Sequence, residues 1–312
     1  MRKVVREVGV FPDDKERYLR RFLSRKTSIS EDSFLFGHGS SHILSLCLQT
    51  FKPQSVKVLR PLSLYHAALL GRLGIRYGEL TLVYSKNGFA ADTEELLSEA
   101  STGATMLLMN PHDPSGATIP LEAMNELMDA ADRSGGMLIV DEAYIEYADL
   151  QSAADRAARS SCCLVLRSFS LFHALAGLRI GYGIGHPSLI ARLSDISVPG
   201  CVNSMALAAA RASLGDAAYC RRTREYIAAE KTYVLGKLKG LAGLVVHDTP
   251  CNFVLVGLED GNRDLVGMLL NSGIVVDPLQ EAEGKRWIRV PMQRRPQNAR
   301  FVKTLRFLLS RG

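Results

Sequence analysis

Short apolar runs alternate with helical patterns between residues 30 and 205. Five of these runs are predicted to be buried strands, at 56–60, 105–110, 136–144, 163–170 and 179–185. A crossover helix is predicted at 120–133, because Pro120 suits a first helical turn and a Ser-Gly-Gly sequence follows its end. This alternation predicts an α/β unit with a mostly parallel sheet and helices on both faces.

The last third of the chain has a different pattern. Helices are predicted at 203–214, 217–238, near 263–271 and at 296–310, and strands at GLVVHD, NFVLVGL, GIVVDP and RWIRV. This pattern indicates a smaller α+β unit. We therefore predict an N-terminal arm and helix at 1–28, with the helix at 13–24, a large domain at 29–215 and a small C-terminal domain at 216–312.

Composition and charge indicate an ordinary globular protein. The chain is 47% hydrophobic and 22% charged, as is usual for globular proteins. No apolar run approaches the ~20 residues of a membrane span, and the N-terminus lacks a signal-peptide core. We expect a cytoplasmic protein with no membrane partner. The net charge of +6 comes with no interleaved aromatic stripe, so no nucleic-acid partner is predicted.

The six cysteines form no C-x-x-C pair and are expected to be mostly small core residues. No metal site is predicted.

The segment GHGSSH (37–42) is a candidate anion site. It follows the strand-like FLF and opens a helix, and amides at a helix N-terminus carry a partial positive charge. Glycine there lets the backbone approach an anion closely. An ordinary glycine-rich turn is the alternative interpretation.

Asp141 lies at the carboxyl end of a strongly apolar predicted strand. Ligands of such sheets bind in the crevice outside these strand ends, and a buried carboxylate needs a partner. Asp141 is therefore a candidate ligand residue, although it might instead cap the next element.

Motifs in a fixed order carry a resemblance to a known family. They are GHGSSH, NPHDPSG (110–116), VDEAY (140–144), SFSLFHALAGLR (168–179), PGCVNS (199–204) and WIRV (287–290). Together they resemble fold-type I pyridoxal 5′-phosphate (PLP) enzymes of the class I/II aminotransferase family, nearest to histidinol-phosphate aminotransferase and threonine-phosphate decarboxylase. The resemblance implies an αβα large domain, a small C-terminal domain and PLP as the cofactor.

The resemblance also implies roles for the matching residues. Asp141 would pair with the protonated pyridine nitrogen and Tyr144 would reach the phenolic oxygen of the ring. The implied phosphate contacts are Gly39, Ser40, Ser41, Ser168, Ser170 and Arg179. Arg289 would bind a substrate carboxylate through two parallel hydrogen bonds. Asn203 and Asn252 would line the substrate side of the site. A structural ion pair at Arg179 and a surface position for Arg289 are the alternatives.

The chain departs from the family where the chemistry occurs. Leu171 stands at the position of the lysine that forms the Schiff base, and a leucine can neither hold PLP covalently nor move a proton. Asp113 replaces an asparagine and would repel the ring's phenolate unless protonated. Further departures fall at Phe11, Leu62 and Val276.

Histidines offer one replacement for the missing lysine, because imidazole titrates near neutral pH. Those in predicted site segments are His38, His42, His66, His112 and His173. Each of them taken alone is readily explained without a catalytic role.

Three functions stay open. The chain could bind PLP non-covalently and act on, or bind, a small amino-acid-like ligand, free or phosphorylated. It could be an ordinary aminotransferase or decarboxylase, which Leu171 opposes. It could be a catalytically inactive pseudoenzyme that partners an active homologue. Because the family builds its sites across a dimer interface, we expect a homodimer or a heterodimer with a homologue.

Overall fold

The structure is a computed structural model that describes residues 9–13, 15–86, 88–259, 264–279 and 286–310. The strands are β1 (Phe34–Gly37), β2 (Ser55–Leu59), β3 (Arg76–Leu80), β4 (Leu82–Ser85), β5 (Gly88–Ala91), β6 (Thr105–Met109), β7 (Met137–Asp141), β8 (Cys163–Ser168), β9 (Gly181–Ile184), β10 (Leu244–Asp248), β11 (Phe253–Leu258), β12 (Asp277–Pro278) and β13 (Trp287–Pro291).

The α-helices are α1 (Arg17–Thr27), α2 (Ser40–Phe51), α3 (Leu64–Arg72), α4 (Thr93–Ala100), α5 (Leu121–Ser134), α6 (Ala154–Ala157), α7 (Pro187–Ser194), α8 (Ser204–Gly215), α9 (Ala217–Leu238), α10 (Leu265–Asn271) and α11 (Arg295–Ser310). Short 3₁₀ turns lie at Glu31–Ser33, Ile145–Tyr147 and Ala176–Leu178.

A seven-stranded sheet has the order β1-β9-β8-β7-β6-β2-β3. Strands β3, β2, β6, β7 and β8 pair in parallel, whereas β9 runs antiparallel to both β8 and β1. The predicted α/β class and the mostly parallel sheet are confirmed.

Hydrophobic side chains on alternate positions of this sheet pack into two clusters. In β8, Leu164 packs with Ile43 of α2 and Ile190 of α7, whereas Val165 packs with Met124 and other side chains of α5. Because successive side chains of a strand point to opposite faces, each face acquires its own helical layer. The sheet is therefore the middle layer of three.

A second sheet has the antiparallel order β10-β11-β13-β12. One face packs on α9, α10 and α11 through a cluster that includes Val234, Leu265 and Phe301. The other face carries Phe253 and Trp287, which pack in a cluster with Tyr144 of the larger unit. This contact brings the small sheet against the carboxyl end of β7.

Some sequence predictions of local structure need correction or completion. The first helix was predicted at 13–24 but spans Arg17–Thr27, because the Asp13 carboxylate accepts a hydrogen bond from the Arg17 backbone N–H (2.9 Å) ahead of the helix. The hairpin of β4 and β5 was not predicted, because its strands are only four residues long. The domain boundaries after residues 28 and 215 stay predictions.

The predicted strand GIVVDP forms a strand only at Asp277–Pro278. The backbone N–H of Ile274 donates a hydrogen bond to the Leu269 carbonyl at the end of α10 (2.9 Å). The start of the GIVVDP segment therefore bonds to the helix instead of to a neighbouring strand. The apolar character of this segment reflects packing of Ile274 and Val276 in the small-sheet core.

Among the described residues, no helix combines the length and the apolarity required to cross a bilayer. The six cysteines all carry free thiols.

Gly181 of β9 packs closely against the backbone at the start of α2. A Cβ placed on Gly181 would lie 2.3 Å from the backbone N of Ser40, so Gly181→Ala must shift the backbone. We expect a loss of about 1–3 kcal/mol in the free energy of unfolding, the range for overpacking. Gly177→Ala is the control, because a Cβ there meets nothing within 4 Å. Urea denaturation followed by circular dichroism checks this, and equal midpoints for the two variants would contradict it.

Candidate active site

The candidate site lies where parallel strands β6, β7 and β8 end side by side. Asp113 lies in the loop after β6, Asp141 ends β7 and Tyr144 follows it, and Ser168 ends β8. Because parallel strands present their carboxyl ends at one edge, three segments distant in sequence meet there.

Asp141 is buried at the end of β7, with only 5% of its surface exposed. One of its oxygens, Oδ1, accepts a hydrogen bond from the Ala143 backbone N–H (2.9 Å), and Oδ2 lies 3.2 Å from His66 Nε2. On the other side of the ring, His66 Nδ1 lies 2.7 Å from the hydroxyl oxygen of Ser63, the residue that caps α3. Since a carboxylate only accepts hydrogen bonds, Nε2 carries the hydrogen and Asp141 is held in a defined orientation.

A candidate anion cradle lies at the N-terminus of α2, the helix that follows β1 of the same sheet. Gly39 caps the helix with a φ of +80°, and a Cβ built there would lie 2.8 Å from Arg179 Nη2. The Arg179 guanidinium therefore lies close to Gly39, which directly precedes the first helical turn with Ser40 and Ser41. A cation beside a helix N-terminus fits a phosphate group.

The turn after β8 completes the edge of the cradle. The hydroxyl oxygen of Ser168 accepts a hydrogen bond from the Ser170 N–H (3.1 Å), which orders the turn. Leu171 follows with 39% of its surface exposed, and its carbonyl accepts a bond from the Ala174 N–H. The side chain at this position is accessible but has no amine.

Arg289 joins the small sheet to the large one through a cluster of ion pairs. Its Nη1 pairs with Asp113 Oδ1 and lies 3.2 Å from the Tyr144 hydroxyl oxygen. Its Nη2 lies 2.6 Å from Oδ2 of Asp277, the residue directly across from Arg289 in the β12–β13 register. With 21% of its side chain exposed, Arg289 is half-buried.

This cluster gives Asp113 a partner within the protein. Its carboxylate pairs with Arg289, and the expectation that it faces the phenolate of a cofactor ring stays a prediction. Burial raises the pKa of Asp113, although the Arg289 guanidinium acts in the opposite direction. Burial and the neighbouring Asp113 both raise the pKa of Tyr144, so its hydroxyl keeps its proton at neutral pH.

The same neighbours act on the guanidinium itself. Burial alone would lower the pKa of Arg289, but Asp113, Tyr144 and Asp277 raise it above its ordinary value. The arginine therefore stays charged in the cluster.

Several predicted site residues have structural contacts. Asn203 caps α8, with its side-chain oxygen accepting from the Ala206 N–H (2.8 Å), and the Asn252 carbonyl accepts from the Met292 N–H (2.7 Å). Leu62 and Val276 pack in hydrophobic clusters.

The candidate histidines separate into distinct environments. His66 contacts Asp141, whereas His112 is buried between Ser115 and the Leu59 carbonyl, and burial lowers the pKa of His112 to about 4. His173 lies 2.5 Å from the hydroxyl oxygen of Ser213 in α8. The structure thus places only His66 of these three in hydrogen-bond contact with Asp141.

Two further residues of the site were missed in the sequence. Ser63 orients His66, and a serine followed three residues later by histidine gives no distinctive signal. Asp277 was included only in a predicted strand, although its cross-strand position opposite Arg289 gives it a role. The described part of the chain contains no cluster of three His, Cys, Asp or Glu side chains suited to a metal ion.

Known proteins share both the sequence pattern and the fold. The family profile described as aminotransferase class I and II matches residues 10–305. A histidinol-phosphate aminotransferase 1 of Cupriavidus pinatubonensis is 30% identical, over 96% of this chain and 81% of that protein.

Two solved structures show the same fold. The histidinol-phosphate aminotransferase of Sinorhizobium meliloti in complex with pyridoxal-5′-phosphate has a TM-score of 0.87 and 22% identity, covering 99% of this chain and 85% of that one. The L-threonine-O-3-phosphate decarboxylase of Porphyromonas gingivalis has a TM-score of 0.82 and 20% identity, covering 99% and 93%. With the profile match over most of its length, the chain belongs to the class I and II aminotransferase family, whose members depend on PLP.

Proposed function

We propose that this protein binds PLP non-covalently at the edge formed by β6, β7 and β8. The observation that carries the proposal is that one sheet presents the Arg179 guanidinium at the Gly39 turn and the buried carboxylate of Asp141, with no amine at Leu171. The first two features fit the phosphate and the ring nitrogen of PLP, whereas Leu171 does not fit covalent attachment.

Different residues would hold different parts of the cofactor. Arg179 and the amides of α2 would bind its phosphate, with the hydroxyls of Ser168 and Ser170 at the edge of the cradle. Asp141 would hold a proton at the ring nitrogen, and His66 would keep that carboxylate oriented. When bound, PLP supplies an aldehyde and an electron-withdrawing ring.

The side chains of Leu171 and Tyr144 are poorly suited to transferring a proton. Leu171 cannot exchange a proton, and the Tyr144 hydroxyl keeps its own because burial raises the pKa of that group. Ordinary lysine-based catalysis is therefore not part of the proposal.

The ligand would be a small amino-acid-like molecule. The relatives are named for histidinol phosphate and for L-threonine-O-3-phosphate, both phosphorylated, so a phosphorylated ligand is the first to test.

A catalytically inactive partner of an active homologue is the second candidate function. Leu171 favours it, and Phe11 is 96% exposed in the arm, where it is free to contact another chain. The homodimer and the cytoplasmic location stay predictions.

Titration with PLP tests the proposed site. We expect saturable binding, seen as a change in PLP absorbance, and no pyridoxyl group on residue 171 after borohydride reduction. Arg179→Gln should weaken binding at least about tenfold, because it removes the cation that faces the phosphate. Arg159→Gln is the control, since Arg159 forms an exposed pair with Asp155. The proposal fails if the wild-type protein binds no PLP at millimolar concentration.

Restoring an amine tests whether residue 171 faces the bound aldehyde. Leu171→Lys with PLP and borohydride should yield a pyridoxyl adduct on residue 171, identified by peptide mass spectrometry. Gly177→Lys is the control, because that position is exposed in the same loop and open around its Cα. Equal labelling of the two lysines would show that residue 171 has no special access to the cofactor.

A further inference from the structure

The guanidinium of Arg289 is already occupied by side chains of the protein itself. Asp277 Oδ2 takes two of its donors, Nη2 at 2.6 Å and Nε at 3.2 Å. The remaining terminal nitrogen, Nη1, pairs with Asp113 and lies 3.2 Å from the Tyr144 hydroxyl oxygen. A ligand carboxylate would have to displace one of these partners to reach Arg289.

The charges of the cluster also oppose a carboxylate ligand. Two carboxylates, Asp113 and Asp277, face one guanidinium, and Asp141 lies within electrostatic reach of Asp113. A further anion would enter a region with more negative than positive groups. Displaced from Arg289, the half-buried Asp113 would also lose its ion-pair partner, and an unpaired charge is costly away from full solvent exposure.

The surroundings hold both partners in place. The loop of Asp113 is fixed by neighbouring His112, whose ring bonds to the Ser115 hydroxyl and the Leu59 carbonyl. Arg289 lies on β13 with its guanidinium 5.5 Å from the centre of the Phe253 ring. The ion pair therefore joins two ordered segments, one from each sheet.

We propose that Asp113 is a specificity-determining residue, a built-in carboxylate that occupies Arg289 and excludes ligands with a carboxylate at this end of the pocket. The accepted ligand class is an amine or alcohol that presents an uncharged or cationic end to the cluster. The inference narrows the proposed amino-acid-like ligand to one that presents no carboxylate to Arg289, and it rests on this edge being a ligand pocket.

Glutarate is the probe, because it carries carboxylates and no other functional group. Binding is measured by calorimetry and by the fluorescence of Trp287, the single tryptophan, which lies two residues from Arg289. Asp113→Asn removes the negative charge that pairs with Arg289 Nη1 and keeps nearly the same side-chain shape. Glutarate affinity should therefore rise at least about tenfold over wild type. The double variant Asp113→Asn with Arg289→Gln should lose that gain. Asp248→Asn, which removes a carboxylate paired with Lys231, should leave the affinity unchanged.

A second variant keeps the test decisive if Asp113→Asn folds poorly. Asp113→Ala leaves a carboxylate-sized space beside Arg289, so formate should raise its melting temperature but not that of wild type. The wild-type protein supplies a third readout, because it should not bind glutarate more tightly than its Arg289→Gln variant does.

The proposal is overturned if wild type binds glutarate as tightly as Asp113→Asn does, or if the gain persists without Arg289. It is also overturned if formate stabilises wild type and Asp113→Ala equally. All of these measurements are made without PLP, so their failure is distinguishable from a failure of PLP binding.

Discussion

The shared carboxyl edge of β6, β7 and β8 is the constraint on which the site depends. Parallel strands must end at the same edge, so the residues that follow them meet although 55 positions separate Asp113 from Ser168. Apolar side chains on both faces of the sheet hold the strands in register. Polar groups that would be costly elsewhere in such a core collect at this edge, where they can pair with one another.

The cluster around Arg289 also joins the two sheets. Asp113 follows the carboxyl end of β6 in the large sheet, whereas Arg289 and Asp277 belong to the small sheet. Trp287 and Phe253 pack with Tyr144 beside the ion pairs, so apolar burial and charge pairing act at one contact. Burying such a pair brings little net stability, because desolvation offsets attraction, but removing one partner leaves an unpaired charge. The contact therefore specifies how the small sheet meets the large one.

Residues 113 and 171 both bear on the charge of the candidate site. Leu171 supplies no amine, and the Asp113 carboxylate pairs with Arg289. The cradle of Gly39 and Arg179 keeps its positive character. The protein thus has a cationic side chain beside the N-terminus of α2 and a separate cluster in which two carboxylates face the Arg289 guanidinium.

The sequence by itself determined the α/β class, most of the strands and helices, and the positions of Asp141, Gly39 and Arg179, because apolar periodicity and ordered motifs are local signals. It also shows that residue 171 is a leucine, which carries no amine. Only the tertiary structure decided that Asp113 pairs with Arg289, that Asp277 lies across from it, and that His66 orients Asp141. These contacts join residues from different sheets and loops, and their distances depend on how the two sheets pack, which no local pattern encodes.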